Sequence, residues 1–249
     1  MFKSVIKIGA LGLLVVVVAI TMAFSSGKLA RVSCQDLIVR IHEDSPRFID
    51  EEEIMRLVKK ADDKLFGKKL NEINTEQLER ALKKETAIKN IEIYRRVVGQ
   101  DMDFKGKLIV EVAQREPVVR IRNAKEDFYL DSEGVRIPAS GAFTSRVLLV
   151  SGQPSEKYAR EELLSLINFI HGDEFWHAQI EQMQVNANGE LIMSTLIGDQ
   201  LVEFGKPSDY KIKLRNLKAL YEQAFSSTGW DHYSKINLKY TNQVVCTKK

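Results

Sequence analysis

Cysteine is nearly absent from this 249-residue sequence, and with it go most of the simple routes to a metal or redox centre. The two that occur, Cys34 and Cys246, stand near opposite ends of the chain with no CxxC spacing. They read as unpaired thiols by default, or as a disulfide if their Cα atoms come within the ~7 Å such a bond requires. Arg31, Val32 and Ser33 do not make a lipobox, which removes a lipid anchor at Cys34. Histidine is scarce too, with four residues. His171, Asp173, Glu174 and His177 form the one compact set of possible ligands, but they follow a helical stretch whose end is polar in any case, so no metal or cofactor is expected. There is no Walker loop, no GxGxxG after a strand, no HExxH and no GxSxG, so no nucleophile or phosphate site is arranged by a recognised spacing. An enzyme and a small-molecule substrate are therefore not expected. Charge of one sign is lacking too: 37 basic residues meet 34 acidic ones without an arginine-rich run, which argues against nucleic acid. Five prolines and 14 glycines leave little room for disorder. Trp176 and Trp230 read as core or rim residues.

What the sequence does have is one long apolar run. Ile8 to Gly27 is 20 residues without a charge, enough at ~1.5 Å per residue to span a ~30 Å hydrocarbon core. Lys3, Lys7 and the terminal amine precede it, so residues 1–7 are expected to be a cytoplasmic tail, 8–27 a transmembrane helix, and the rest to be exported. Lys28 and Arg31 reduce that asymmetry. A cleaved signal peptide is the alternative, since Ala23 to Ser25 offers small residues at a suitable spacing; the run is longer than the ~7 to 15 residues of a signal core, which favours an anchor.

Beyond the anchor the first module, 28–116, reads as strand, helix, helix, strand, strand. Leu37 to Ile41 is a short β-branched run. Asp50 can cap a helix of about Glu51 to Lys60 with Glu53 three residues on, and Ile54, Leu57, Val58 and Ala61 form its buried stripe. Asn74 caps a second helix running to about Lys84, with Gln77 at the capping-box position and Ile73 placed to staple Leu78. Ile88 to Arg95 and Leu108 to Val112 alternate as a hairpin around a polar loop from Gly99 to Gly106. The two helices can cover one face of a three-stranded sheet. This order is similar to that of a POTRA domain, a kind of module that binds other polypeptides.

The second module, 117–249, opens at Pro117 and reads as a mainly antiparallel β domain with two helices. Phe128 to Leu130 runs into a turn at Asp131 to Gly134, and Val147 to Val150 is a further strand. Ser155 caps a helix from Glu156 to Ile170. Ile180 to Val185 and Leu191 to Leu196 form a hairpin about Asn188 and Gly189, and Gln200 to Phe204 continues the meander. Ser208 caps a last helix bearing Tyr210, Leu214, Leu217 and Tyr221 on one face. Ile236 to Tyr240 and Val244 to Cys246 supply the final strands.

Three segments resemble the FtsQ/DivIB cell-division proteins. They are LIVEVAQREPVVRI at Leu108 to Ile121, FYLDSEGV at Phe128 to Val135, and KLRNLKALYEQ followed by KINLKYTNQVV at Lys213 to Gln223 and Lys235 to Val245. Gln114 stands where the family often has Glu, and the loop before Gly106 is long for it. The resemblance covers nearly the whole chain and implies a non-enzymatic scaffold of the septal division complex in the inner membrane, N-terminus cytoplasmic and bulk periplasmic. Its implied partners are FtsB and FtsL-type bitopic proteins, captured by β-strand addition and so linked to septal peptidoglycan synthesis. The last strand would offer the edge, with Tyr240, Asn242, Gln243, Val244 and Val245 as binding residues, Tyr240 matching the family's strand tyrosine. Lys248 and Lys249 are equally able to blunt that edge. A component of protein export or outer-membrane assembly is the alternative, and it calls for a barrel of ~9 to 11-residue strands after the POTRA module.

Overall fold

Two sheets, each packed against helices, hold the described strands. In a computed structural model, residues 13–14, 16–17, 32–100, 103–141, 143–225, 229, 232–240 and 243–249 are described. The expected tail and most of the expected membrane span, 8–27, lie outside them, as do Trp230 and Asn242. Leu13, Leu14, Val16 and Val17 are helical and exposed; among the described residues no helix is long and apolar enough to cross a membrane. One unit comprises the described residues up to Ser45 together with Ile49–Gln114, the other Pro46–Phe48 with Arg115–Lys249.

The first unit contains β1 (Cys34–Ile41), α1 (Glu51–Ala61), α2 (Thr75–Leu82), β2 (Ile88–Gln100) and β3 (Asp103–Gln114), with sheet order β1-β3-β2. The caps are those the spacing predicts. Asp50 accepts the Glu53 amide at 2.8 Å and Asn74 accepts the Gln77 amide at 3.0 Å, which satisfies donors that a helix start leaves open. Ile54 and Val58 of α1 and Leu78 and Leu82 of α2 then bury against Leu37, Val39, Ile91, Leu108 and Val110. The polar loop expected from Gly99 to Gly106 is instead strand. Pairing continues through Val98 with Lys105 and Gly99 with Phe104 to Gln100 with Asp103, leaving only residues 101–102 as the connection. Phe104 stands opposite Gly99, a pairing by which an aromatic compensates a strand glycine.

Gln114 explains its own departure from the family's glutamate. It is buried, its Oε1 accepts the Ile49 amide at 3.0 Å, and its Nε2 donates back to the Ile49 carbonyl at 2.6 Å. The amide both accepts and donates here, whereas an ionised carboxylate would face a carbonyl oxygen. Gln114→Glu is expected to cost about 1 to 3 kcal/mol near neutral pH. That site would raise the glutamate's pKa, so the variant should approach the parent in acid and lose stability as pH rises through the raised value. Urea melts of both proteins across the pH range check it, and a deficit independent of pH would refute the reading.

The second unit holds β4 (Pro117–Arg122), β5 (Asp127–Asp131), β6 (Arg136–Pro138), β7 (Leu148–Gly152), β8 (Ile180–Val185), β9 (Leu191–Thr195), β10 (Leu201–Gly205), β11 (Tyr233–Asn237) and β12 (Val245–Lys248). Among the described residues these form one nine-stranded sheet in the order β12-β11-β10-β9-β8-β7-β4-β5-β6. The helices are α3, an α turn Glu156–Tyr158 continued by a π-helical turn Ala159–Leu163 and Leu164–Gly172; α4, Glu174–Gln179; and α5, Tyr210–Ala219, continued by π-helical Leu220–Phe225. The α+β class stands, with corrections. The sheet is mixed, because β4 with β7, β7 with β8, and β10 with β11 run parallel. A helix between two strands, as α3 lies between β7 and β8 and α5 between β10 and β11, returns the chain to the same end of the sheet, which hairpins cannot do. A third helix, α4, forms where only a polar helix end was expected, because Asp173 caps it by accepting the Trp176 amide at 3.0 Å. Ser208 does not cap α5; Asp209 takes that place with φ of 54° and no side-chain cap bond.

Candidate partner-binding edge

The terminal strand is an edge. Among the described residues β12 pairs with β11 on one side only, and β11 in turn pairs with β10. Its start and that of β11 are shifted from expectation: β11 ends at Asn237, whose side chain accepts the Lys239 amide at 2.9 Å and turns the chain out of the sheet. Tyr240 and Gln243 therefore sit in the connection, where the Gln243 amide donates to the Tyr240 carbonyl at 3.4 Å, and β12 begins only at Val245. Asn242 lies outside the described residues. Val244 is half-buried against the core, while Tyr240 and Val245 are 60% and 45% exposed. Of the expected binding residues, Val245 alone is part of the strand; Cys246, Thr247 and Lys248, outside the expected set, complete it. The β-branched Val244, Val245 and Thr247 are the sequence signal that extends the strand, and in the structure half-buried Val244 and Cys246 alternate with exposed Val245 and Thr247.

Two hydrogen bonds set which backbone groups of β12 are free. The Leu238 amide donates to Glu203 of β10 at 2.9 Å, so by alternation Asn237 and Lys235 direct their amides to β12. The Lys249 amide donates to the His232 carbonyl at 3.1 Å, so Thr247 and Val245 point inward. Both bonds give the same answer: Asn237 with Val245 and Lys235 with Thr247 are the bonded pairs, and the amides of Cys246 and Lys248 face outward. The opposite edge of the sheet differs. β6 is three residues long, ends in Pro138, and has Arg136 tied to Glu126 and Glu156 across 3.1 and 2.6 Å, the devices that blunt an edge.

The surroundings hold β11 and β12 in place. Lys213 of α5 is buried, donates to the carbonyls of Phe204 (3.1 Å) and Lys206 (2.7 Å), and lies over the Phe204 ring; burial pushes its ammonium pKa down. Tyr221 shares a hydrogen bond with Thr195 at 3.2 Å and stacks on Phe225, which stacks on Tyr233 of β11. Lys239 bonds Glu190 at 2.8 Å and holds that carboxyl below its ordinary range, pinning the chain just before Tyr240 to the turn ahead of β9. The motif KLRNLKALYEQ is thus a buttress, with Lys213, Leu214, Leu217 and Tyr221 all directed inward.

Elsewhere, an open pocket of about 390 Å³ lies between β7, β8, α3 and α4, where the His171 and His177 rings meet edge to face at 5.2 Å above Ile167 and Ile170. Among the described residues no three His, Cys, Asp or Glu side chains gather as a metal site. Cys34 and Cys246 are both free, Cys34 in the core of the first unit and Cys246 half-buried, with burial raising both thiol pKa values.

No match is found among curated proteins. A POTRA-like domain model matches residues 32–100, and the model described as FtsQ/DivIB, C-terminal related, matches residues 116–247, more than half of the chain. Domains of these two kinds are typically non-catalytic scaffolds, the second associated with cell division. With β12 closing the matched region at a free edge, the chain belongs to the FtsQ/DivIB, C-terminal related family.

Proposed function

We propose that this protein is a membrane-anchored, non-enzymatic scaffold of the division complex whose strand β12 captures an extended segment of a partner. The observation that carries the reading is the pair of outward amides at Cys246 and Lys248 on an edge that, unlike β6, has no proline, beside the exposed Tyr240 and Val245. The partners are FtsB and FtsL-type bitopic proteins, and their capture connects assembly to septal peptidoglycan synthesis. Residues 8–27 anchor the chain in the cytoplasmic membrane with residues 1–7 in the cytoplasm. An outer-membrane assembly role is less well supported, since the described strands of the second unit are three to six residues long in an open sheet rather than the ~9 to 11 of a membrane barrel.

The test is position and topology in cells. A fluorescent protein joined before Met1 is expected to form rings at midcell, and a reporter active only outside the cytoplasm is expected to work when fused after Lys249. Mature protein should keep residues 1–26. An N-terminus near Ser26 would refute the anchor, and uniform envelope fluorescence would refute the division role.

A further inference from the structure

Tyr240 comes soon after the end of β11, and the two residues before it are held one by one. Leu238 is buried, and its amide donates to the Glu203 carbonyl at 2.9 Å. The Lys239 amide donates to the Asn237 side chain at 2.9 Å, and the Lys239 ammonium donates to Glu190 Oε2 at 2.8 Å. Beneath Lys239 lies Gly205, where a Cβ would come within 3.0 Å of Lys239 Cγ and 3.4 Å of its Cα. Glycine leaves that space, and its φ of 74° is in the left-handed region that other residues rarely enter. Tyr240 follows directly and is largely exposed.

Both supports of Lys239 are themselves fixed. Glu190 closes the turn between β8 and β9, where Asn186 Oδ1 accepts the amides of Asn188 at 3.0 Å and Glu190 at 2.9 Å. Gly205 ends β10 between Phe204 and Lys206, whose carbonyls both accept from the buried Lys213 ammonium. The pair of Lys239 and Glu190 is partly solvated, at 37% and 28% side-chain exposure, and a pair so placed adds little to folding. Its effect falls instead on the exposed aromatic that follows, because a side chain held in place before a partner arrives loses less freedom on binding. We propose that Glu190 is a positioning residue for partner capture, a role that rests on the reading of β12 as the capture edge: over the floor that Gly205 provides, it seats Lys239 and so presents Tyr240 to the incoming strand.

Full-length protein in lipid nanodiscs is titrated with the purified complex of FtsB and FtsL-type proteins from the same organism, and thermal melts are recorded beside the titrations. Glu190→Ala and Lys239→Met are each expected to weaken binding by roughly three- to tenfold, the effect of freeing one or two side chains, with melting unchanged. Lys239→Arg keeps a cation for Glu190 and should bind as the parent does. Glu190→Ala combined with Lys239→Met should bind no more weakly than either alone, and neither should weaken binding further once Tyr240→Ala has been made. Parent-like binding by Glu190→Ala and Lys239→Met, with Tyr240→Ala weakened, overturns the positioning role and leaves capture standing. A loss on Lys239→Met that persists in the Glu190→Ala or Tyr240→Ala protein means that Lys239 itself touches the partner, and overturns the role too. Parent-like binding by Tyr240→Ala likewise overturns it, and parent-like binding by folded Cys246→Pro overturns capture at β12 as well.

Discussion

Proline at Cys246 is expected to abolish partner capture while the protein stays folded, and proline at Val245 to damage the sheet itself. The asymmetry follows from the backbone. The Cys246 amide faces outward and bonds nothing in β11, so proline there removes a donor that only a newcomer would use. The Val245 amide is turned toward Asn237, so proline there breaks one of the few bonds that hold β12 to its neighbour. An added strand forms at most about four backbone bonds with so short an edge, each contributing ~0.5 to 1.5 kcal/mol net. Ordering the newcomer consumes much of that. Capture is therefore poised: loss of one donor, with a pyrrolidine ring obstructing the approach, suffices to end it. Side-chain anchors must supply the remainder, and Tyr240→Ala should lower binding more than stability because Tyr240 is largely exposed. The measurement is pull-down of FtsB and FtsL-type partners from cells beside thermal melting, for Cys246→Pro, Val245→Pro, Tyr240→Ala and the control Cys246→Ala. Retained capture by folded Cys246→Pro would place the site elsewhere.

Asp131→Ala is expected to destabilise the second unit by about 3 to 5 kcal/mol, since it breaks a buried ion pair by removing one partner. Asp131 is 6% exposed at its side chain and Arg115 17%, with Arg115 Nη1 at 2.7 Å from Asp131 Oδ2. The other carboxylate oxygen accepts the amides of Glu133 at 3.0 Å and Val135 at 2.8 Å, closing the turn after β5. Arg115 Nε already lacks an acceptor, so loss of Asp131 leaves the buried guanidinium with only Glu133, at 3.3 Å and mostly solvated. Asp131→Asn keeps an oxygen for the turn and should cost roughly half as much. Adding Arg115→Met to Asp131→Ala should recover part of the loss, because an apolar pair is tolerated better than an orphaned charge. Denaturant midpoints at constant slope report all four proteins. A change below about 0.5 kcal/mol for Asp131→Ala would mean that the pair and the turn are incidental.

Much of this was legible in the sequence where a single local cause decides. Asp50, Asn74 and Ser155 mark helix starts because an oxygen three residues before an open amide has little else to bond, and each does so in the structure. The stripes of α1 and α5 and the alternation of β8 and β9 declare which face is buried before any neighbour is known. Where the local cause is absent the reading strayed. Ser208 has the chemistry of a cap, yet the left-handed Asp209 lies between it and the helix. Gly99 and Gly106 look like loop punctuation, but cross-strand pairing with Phe104 and the close approach of Ser33 give each glycine a place in or beside a strand.

The sequence by itself determined the order of elements in the first module, most of it in the second, where β6 and α4 left no local mark, and the family, because these rest on periodicity, caps and three short motifs that are local. Only the tertiary structure decided that β11 lies parallel to β10, that β12 is a free edge with Cys246 and Lys248 facing outward, and that the β2–β3 hairpin overshoots the start of β1. Those are properties of strand neighbourhood and register. Side-chain alternation shows which face of a strand is wet, but it is the same whichever strand lies alongside, so the partner of each strand is settled only when the helices between them have packed.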